Sequence, residues 1–523
     1  MSAAAVLPTP ERDTSGIAGH PRGLMTLFFT EMWERFSYYG MRAFLLLFMV
    51  APVASGGLGF DDTRAGVIYG TYTAMVYMLS VPGGWLADRF LGQQNAVLYG
   101  GILIMCGHIS LAFPMVGTFY LGLSLVALGT GLLKPNISSI VGQMYDAEDA
   151  RRDSGFTVFY MGINLGAFLA PLVCGFLAKS ETFKVWLSSA GIDPKHAWHF
   201  AFGAAAVGMF LGLVQYVIGR KNLKDAGKHP TPAKNPKEAS RNRTILAAVI
   251  ITFVLVPVVI GAMAATGAIN LTPEKVSSVT DILLPLTAIV VLAGIVVFGA
   301  QNWEERARLI VVVILFFAAA VFWGCFEQAG STLTLFAERN TERVFLGITI
   351  PSTAYQSLNA IFVVALAPLF AWLWIKLARV NKEPVTLVKF GLGMVGVGLG
   401  FLVLVPAARF VLGGELVGAQ WLITLYLIHT CGELCLSPVG LSAMTKLAPT
   451  RLVGLIMGVW FLAASMGNYM AGRAVQLTST MRMDLFFLLM MAIPVTLGIV
   501  LFLLARPVER MLHRSQNEVQ GGH

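Results

Sequence analysis

Glu31, Glu34, Arg35, Tyr38, Tyr39 and Arg42 recur at intervals of three and four residues inside one apolar stretch, Leu24 to Val50. That spacing puts them on one broad face of a helix. Each ionisable side chain at the centre of a bilayer costs about 2.5–3.5 kcal/mol on insertion scales, so such residues normally face water and mark the path of a substrate or ion. The Glu31–Arg35 pair, at i and i+4, can neutralise itself. Glu34, Arg42 and the two tyrosines have no such internal explanation.

Other apolar stretches carry isolated polar groups. Lys134 stands mid-stretch beside Pro135 in Gly129-Thr-Gly131-Leu-Leu-Lys134-Pro135-Asn136. The proline frees a carbonyl one turn back and can kink the helix, while the lysine requires a carboxylate or a ligand anion. Asn164, in Phe159-Tyr160-Met-Gly162-Ile163-Asn164-Leu-Gly166, offers donors and an acceptor to a ligand or a neighbouring helix. Glu327 follows Trp323 by one turn and suits an ammonium group, or else pairs Lys134 or another cation. Asn359 closes the run Tyr355-Gln356-Ser357-Leu-Asn359, and Glu433 lies in His429-Thr-Cys-Gly432-Glu433-Leu-Cys-Leu-Ser437-Pro438. His429, a turn away, either relays protons to Glu433 or is a hydrogen-bonded packing residue. Trp460 either lines a cavity or fills a packing position. Cys431 and Cys435 are one turn apart, but no further soft ligand completes a metal set, and all five cysteines read as small buried hydrophobes.

The elements that position these residues are membrane helices. The 523 residues are 56% hydrophobic and 12% charged, with a mean hydropathy of +0.72. Soluble proteins carry about 25% charged residues. Spans are expected near 24–52, 64–87, 94–113, 119–143, 155–178 and 198–219, then 244–267 and 279–300, then 308–336, 353–378, 386–408, 419–446, 452–476 and 484–505, about fourteen in all. The grouping is six, two, six. It implies a 1–22 tail, a six-helix bundle over 23–219, a polar linker over 220–243, and two accessory helices over 244–300. A second bundle over 301–506 and a 507–523 tail complete it. The net charge of +9 does not indicate nucleic acid. Its basic residues gather in alternate loops, among them Arg151, Arg152, Arg306, Arg308, Lys376 and Arg379, which places both termini in the cytoplasm of a multi-pass protein of the cell membrane. No cleavable signal segment is read at the start.

Gly83-Gly84-Trp-Leu-Ala-Asp88-Arg89-Phe-Leu-Gly92 resembles the loop signature of the major facilitator superfamily, whose fold is two six-helix bundles. Glu31-x-x-Glu34-Arg35-Phe-x-Tyr38-Tyr39-Gly40, Phe159-Tyr160-x-x-Ile163-Asn164-x-Gly166, Gly-x-x-Lys134-Pro135-Asn136, Gln356-Ser-Leu-Asn359 and Gly432-Glu433-Leu-x-x-Ser437-Pro438-Val-Gly440 together resemble the proton-coupled oligopeptide transporters, and the two central helices resemble bacterial members. The resemblance implies an all-α symporter of di- and tripeptides acting as a monomer, with protons as the coupling ion and no cofactor or metal. It assigns the peptide carboxylate to Arg42 and Lys134, helped by Arg35, and the amino terminus to Glu327. Asn164 and Asn359 would bond the peptide backbone or its termini. Tyr38, Tyr39, Tyr77, Trp323 and Trp460 would line side-chain pockets, and Ser437 belongs to the matching site motif. Glu31, Glu34 and Arg35 would couple protons, and Glu433 would pair with Lys134 as an inner gate. One departure is Phe326, where many relatives carry a second acid. A carrier of nitrate or amino acids is the alternative within transporters. No Gly-x-Ser-x-Gly, His-Glu-x-x-His or P-loop points to an enzyme.

Overall fold

The structure, a computed structural model, describes residues 13–146, 149, 151–233, 235–252, 263, 272–345, 348–449 and 452–520. The first group of helices is α1 (Arg22–Val50), α2 (Asp62–Met78), α3 (Ser80–Leu86), α4 (Gln93–Leu111), α5 (Val116–Gln143), α6 (Arg152–Lys179), α7 (Glu181–Ser189) and α8 (Ala197–Gly219). Next come α9 (Pro236–Ile250) and α10 (Pro273–Val297), and then α11 (Trp303–Phe326), α12 (Thr332–Arg339), α13 (Ser357–Arg379), α14 (Thr386–Leu412), α15 (Gln420–Leu447), α16 (Val453–Thr480) and α17 (Met483–Gln520). Among the described residues, 11 helices are long and apolar enough to cross a membrane. The expected spans outside that set have separate reasons. α1 carries Glu31, Glu34, Arg35 and Arg42, and the second span divides into α2 and α3 at Leu79. Most of 244–267 lies outside the described residues.

Four local departures from the expected elements matter. The polar linker is not featureless. Gln94 Nε2 donates to the carbonyls of Lys224 and Ala226, Arg220 Nη2 to Asn95 Oδ1, and Thr231 N to Asp88 O. The second half of the linker begins α9, where Asn235 accepts from Glu238 N at 2.8 Å and Pro236 occupies the first turn. Arg89 of the loop signature pairs with Glu238 at 3.1 Å, and Gly92 turns the chain at φ 75. The span expected over 308–336 is broken. A 3-10 turn over Glu327–Gly330 separates α11 from α12, and Gln328 Nε2 and Ser331 Oγ both donate to Ala471 O on α16. Beyond α12 a short hairpin pairs Val344–Phe345 with Ile348–Thr349. Finally, α17 runs on to Gln520, through the segment expected as a tail.

The two halves meet along two seams. α2 lies against α16, with backbones so close that a Cβ on Gly66 would sit 2.6 Å from Gly472 O. α13 lies against α6, where Ser357 Oγ donates to Phe168 O and Thr353 Oγ1 to Pro171 O. α10 packs a stripe of Leu284, Ala288, Leu292 and Ile295 onto the second half's core and leaves its other faces to lipid. Its Asp281 accepts from Tyr469 Oη at 2.7 Å and pairs with Arg473 at 2.8 Å, both on α16.

Candidate functional site

On α1 the helical spacing brings the charges together, with a different closest partner from the one expected. Arg35 makes a fork with Glu34, its Nε bonding one oxygen and its Nη2 the other at 2.7 Å. The i, i+4 pair with Glu31 is longer, at 3.3 Å. All three side chains are buried, and the guanidinium carbon lies 5.0 Å from the ring centre of Tyr38 and 5.7 Å from that of Tyr39. Arg35 thus directs its Nε and Nη2 to the two acids of its own helix. Glu31 Oε2 is buried without a hydrogen bond to any of the described residues.

Two turns further along α1, Arg42 reaches across the seam. Its Nη2 forms an ion pair with Glu327 Oε2, and its Nε donates to Tyr69 Oη at 2.6 Å. Glu327 stands at the helix break, which aims its carboxylate at α1 instead of into lipid. The cation and acid assigned to opposite ends of one substrate thus neutralise one another. Tyr69 was not singled out in the sequence. The signal was available, since Tyr69, Tyr72 and Tyr77 share a broad face of α2.

Lys134 and Glu433, the expected gate pair, are apart. Lys134 Nζ lies 4.2 Å from the ring centre of Tyr77. Glu433 Oε2 accepts from Asn359 Nδ2 at 2.8 Å, and the same amide nitrogen contacts Thr430 Oγ1 at 3.1 Å. Each charge is held within its own half of the molecule.

The remaining expected residues divide. Tyr38 is buried with a hydroxyl that has no partner among the described residues, and Tyr39 packs edge-on against it while staying partly open. Asn164 donates to Tyr160 O. Trp323 is partly open, and its indole N–H has no partner among the described residues. Ser437 is partly open on α15, one turn past Glu433. Trp460 is buried against Gly440, as a packing residue would be. His429 is buried between Phe326 and Phe401 and bonds Val397 O at 3.0 Å, an arrangement that fits its packing role. The cysteines are free thiols, and among the described residues no cluster could hold a metal ion.

The ends of the seams differ. α1 begins at the terminal end of the molecule, so α2 starts, and α6 and α12 finish, at the far end. There Arg339 pairs with Asp62 through two bonds of 2.5 and 2.8 Å. Lys179 pairs with Glu338 at 2.7 Å, and Gln356 Nε2 donates to Ala43 O. The described seam bonds continue to mid-depth, where Ser465 Oγ donates to Ala74 O.

Comparison with known proteins follows the same lines. The sequence model of the POT family (PTR2) matches residues 94–493. The chain is 42% identical to the uncharacterized transporter YclF of Bacillus subtilis, over 95% of this chain and 96% of that one. It is 39% identical to the peptide transporter YePEPT of Yersinia enterocolitica, over 96% and 97%. A crystal structure of the peptide transporter POT in complex with sulfate superimposes with a TM-score of 0.84 at 42% identity, covering 95% of this chain and 97% of that one.

Proposed function

The chain belongs to the POT family, a multi-pass membrane protein, and from that premise we propose that it imports di- and tripeptides by proton-coupled alternating access. The observation that carries this reading is the Arg42–Glu327 pair across the seam. A short peptide is a zwitterion about 5–7 Å long. Its carboxylate can replace Glu327 on Arg42, with Lys134 behind it, and its ammonium can replace Arg42 on Glu327. The two ends then bridge the halves, so that binding energy bears on the seam. Tyr38, Tyr39, Tyr77 and Trp323 offer adaptable surfaces to varied side chains.

Proton coupling is assigned to Glu31, Glu34 and Arg35, with Glu433 at the gate. Protonating either α1 carboxylate weakens its hold on Arg35 and alters the field at Lys134. One proton crossing 100 mV releases about 2.3 kcal/mol, and one pH unit adds about 1.4 kcal/mol. That supports several-hundred-fold accumulation of a neutral peptide at one proton each. With both termini cytoplasmic, the end sealed by Arg339–Asp62 and Lys179–Glu338 is external, and the conformation is inward-facing.

The test is uptake of radiolabelled dialanine into proteoliposomes under an inward proton gradient, with and without an ionophore. Uphill, ionophore-sensitive accumulation is expected. Absence of uptake in correctly reconstituted vesicles would overturn the peptide reading and turn attention to anions or amino acids.

A further inference from the structure

We propose that Asn359 and Tyr77 are holding partners for the separated gate charges, and that they set how readily the terminal side opens. This rests on the alternating-access reading above. Breaking a Lys134–Glu433 pair would leave two uncompensated charges inside a membrane protein, a state that is strongly unfavourable unless each finds another partner. The structure contains both replacements. Glu433 on α15 accepts the Asn359 amide of α13 at 2.8 Å, and Lys134 on α5 lies 4.2 Å from the ring centre of Tyr77 on α2. Both contacts are internal to one half. A bond inside one half does not resist separation of the halves, whereas a Lys134–Glu433 bond across them does. Exchanging one set for the other therefore converts a latch into two internal contacts with little net loss of charge stabilisation.

The donor arithmetic ties this exchange to cargo. Asn359 already contacts Thr430 and Glu433. A peptide group that recruits the amide does so in competition with Glu433. A peptide held by Asn359 thereby loosens the hold on Glu433, and departure of the peptide restores that hold. Asn359 acts through Glu433 in this respect and is a positioning residue.

The experiment measures distances by electron spin resonance between spin labels on the terminal-side ends of α5 and α15, in the reconstituted, peptide-free full chain. Asn359→Ala is expected to shift the population toward the form closed on that side by about tenfold, the scale of one hydrogen bond to a charge. Asn359→Ser, which keeps one donor, falls between. In a Glu433→Gln background Asn359→Ala produces no shift, because the charge it holds is gone. An equal shift in both backgrounds would show a merely structural role and overturn the proposal. So would an unchanged population with peptide uptake lost, since Asn359 would then serve the cargo alone. The distances need no peptide, so a failure of dialanine uptake in the parent protein bears on the transport reading and leaves this result independently readable.

Discussion

Arg42 and Glu327 are 285 positions apart in the chain, and that separation explains what sequence reasoning left open. Burial in lipid showed that each needs an opposite charge, while Lys134 was an equally good partner for Glu327 until the helix break aimed the acid at α1. Removing one member of a buried pair typically costs about 3–5 kcal/mol. Glu327→Gln and Arg42→Gln should each lower the thermal unfolding temperature in detergent markedly, and the double variant should lose less than the sum of the two. Equal and additive losses would show that the pair is not coupled. The fork between Arg35 and Glu34 supports a second expectation. Glu34→Gln leaves Arg35 only the longer ion pair to Glu31, so proton-driven accumulation should fall about tenfold, the effect of about 1.4 kcal/mol. Peptide exchange between equally loaded compartments should persist. The α1 face was legible because i, i+3 and i+4 are local. Tyr69 was missed because a tyrosine in a membrane span costs too little to draw attention by itself.

Elements were legible where periodicity and composition agree, and the six-two-six grouping required nothing more. Where tertiary bonds decide, the reading failed. The break at Glu327–Gly330 is stabilised by Gln328 and Ser331 bonding Ala471, a residue on a helix far along the chain. The linker's order comes from its fit to Gln94, Asn95 and Asp88, which no local pattern reveals. Gly472 permits the close approach of α16 to α2. Gly472→Val should force these helices apart near the far end, slowing uptake and raising the accessibility of far-end cysteine probes to a membrane-impermeant thiol reagent. Unchanged accessibility would mean the seam adapts. The tail before α1 offers a pH expectation. Lys224, beside Asp13 at 2.7 Å, holds the Asp13 carboxyl below the usual carboxylate range. A lowered folded value means the pair's stabilisation is complete above the unfolded pKa of about 3.8 and is lost as pH falls through the folded value. With Lys224 largely exposed it contributes under about 1 kcal/mol. Hydrogen exchange of residues 13–19, corrected for intrinsic rates, should therefore show the same protection at pH 7 and pH 5, and less at pH 2.

At the scale of the whole molecule, the far end is sealed by Arg339–Asp62 and Lys179–Glu338, and alternating access requires those contacts to separate in every cycle. Cysteines replacing Asp62 and Arg339, bridged by a short bifunctional methanethiosulfonate, should stop uptake, and reductant should restore it. Uptake that survives complete cross-linking would refute rocking at this seam. The Arg42–Glu327 pair has a further consequence for the electrical behaviour of the carrier. An empty site holding its own cation and anion is itself a zwitterion, and a neutral dipeptide exchanges like for like. Loading leaves the local charge balance unaltered, so the cargo adds no net current. The charge recorded per dialanine on a solid-supported membrane should then count protons directly, a stoichiometry obtained without titrating any residue.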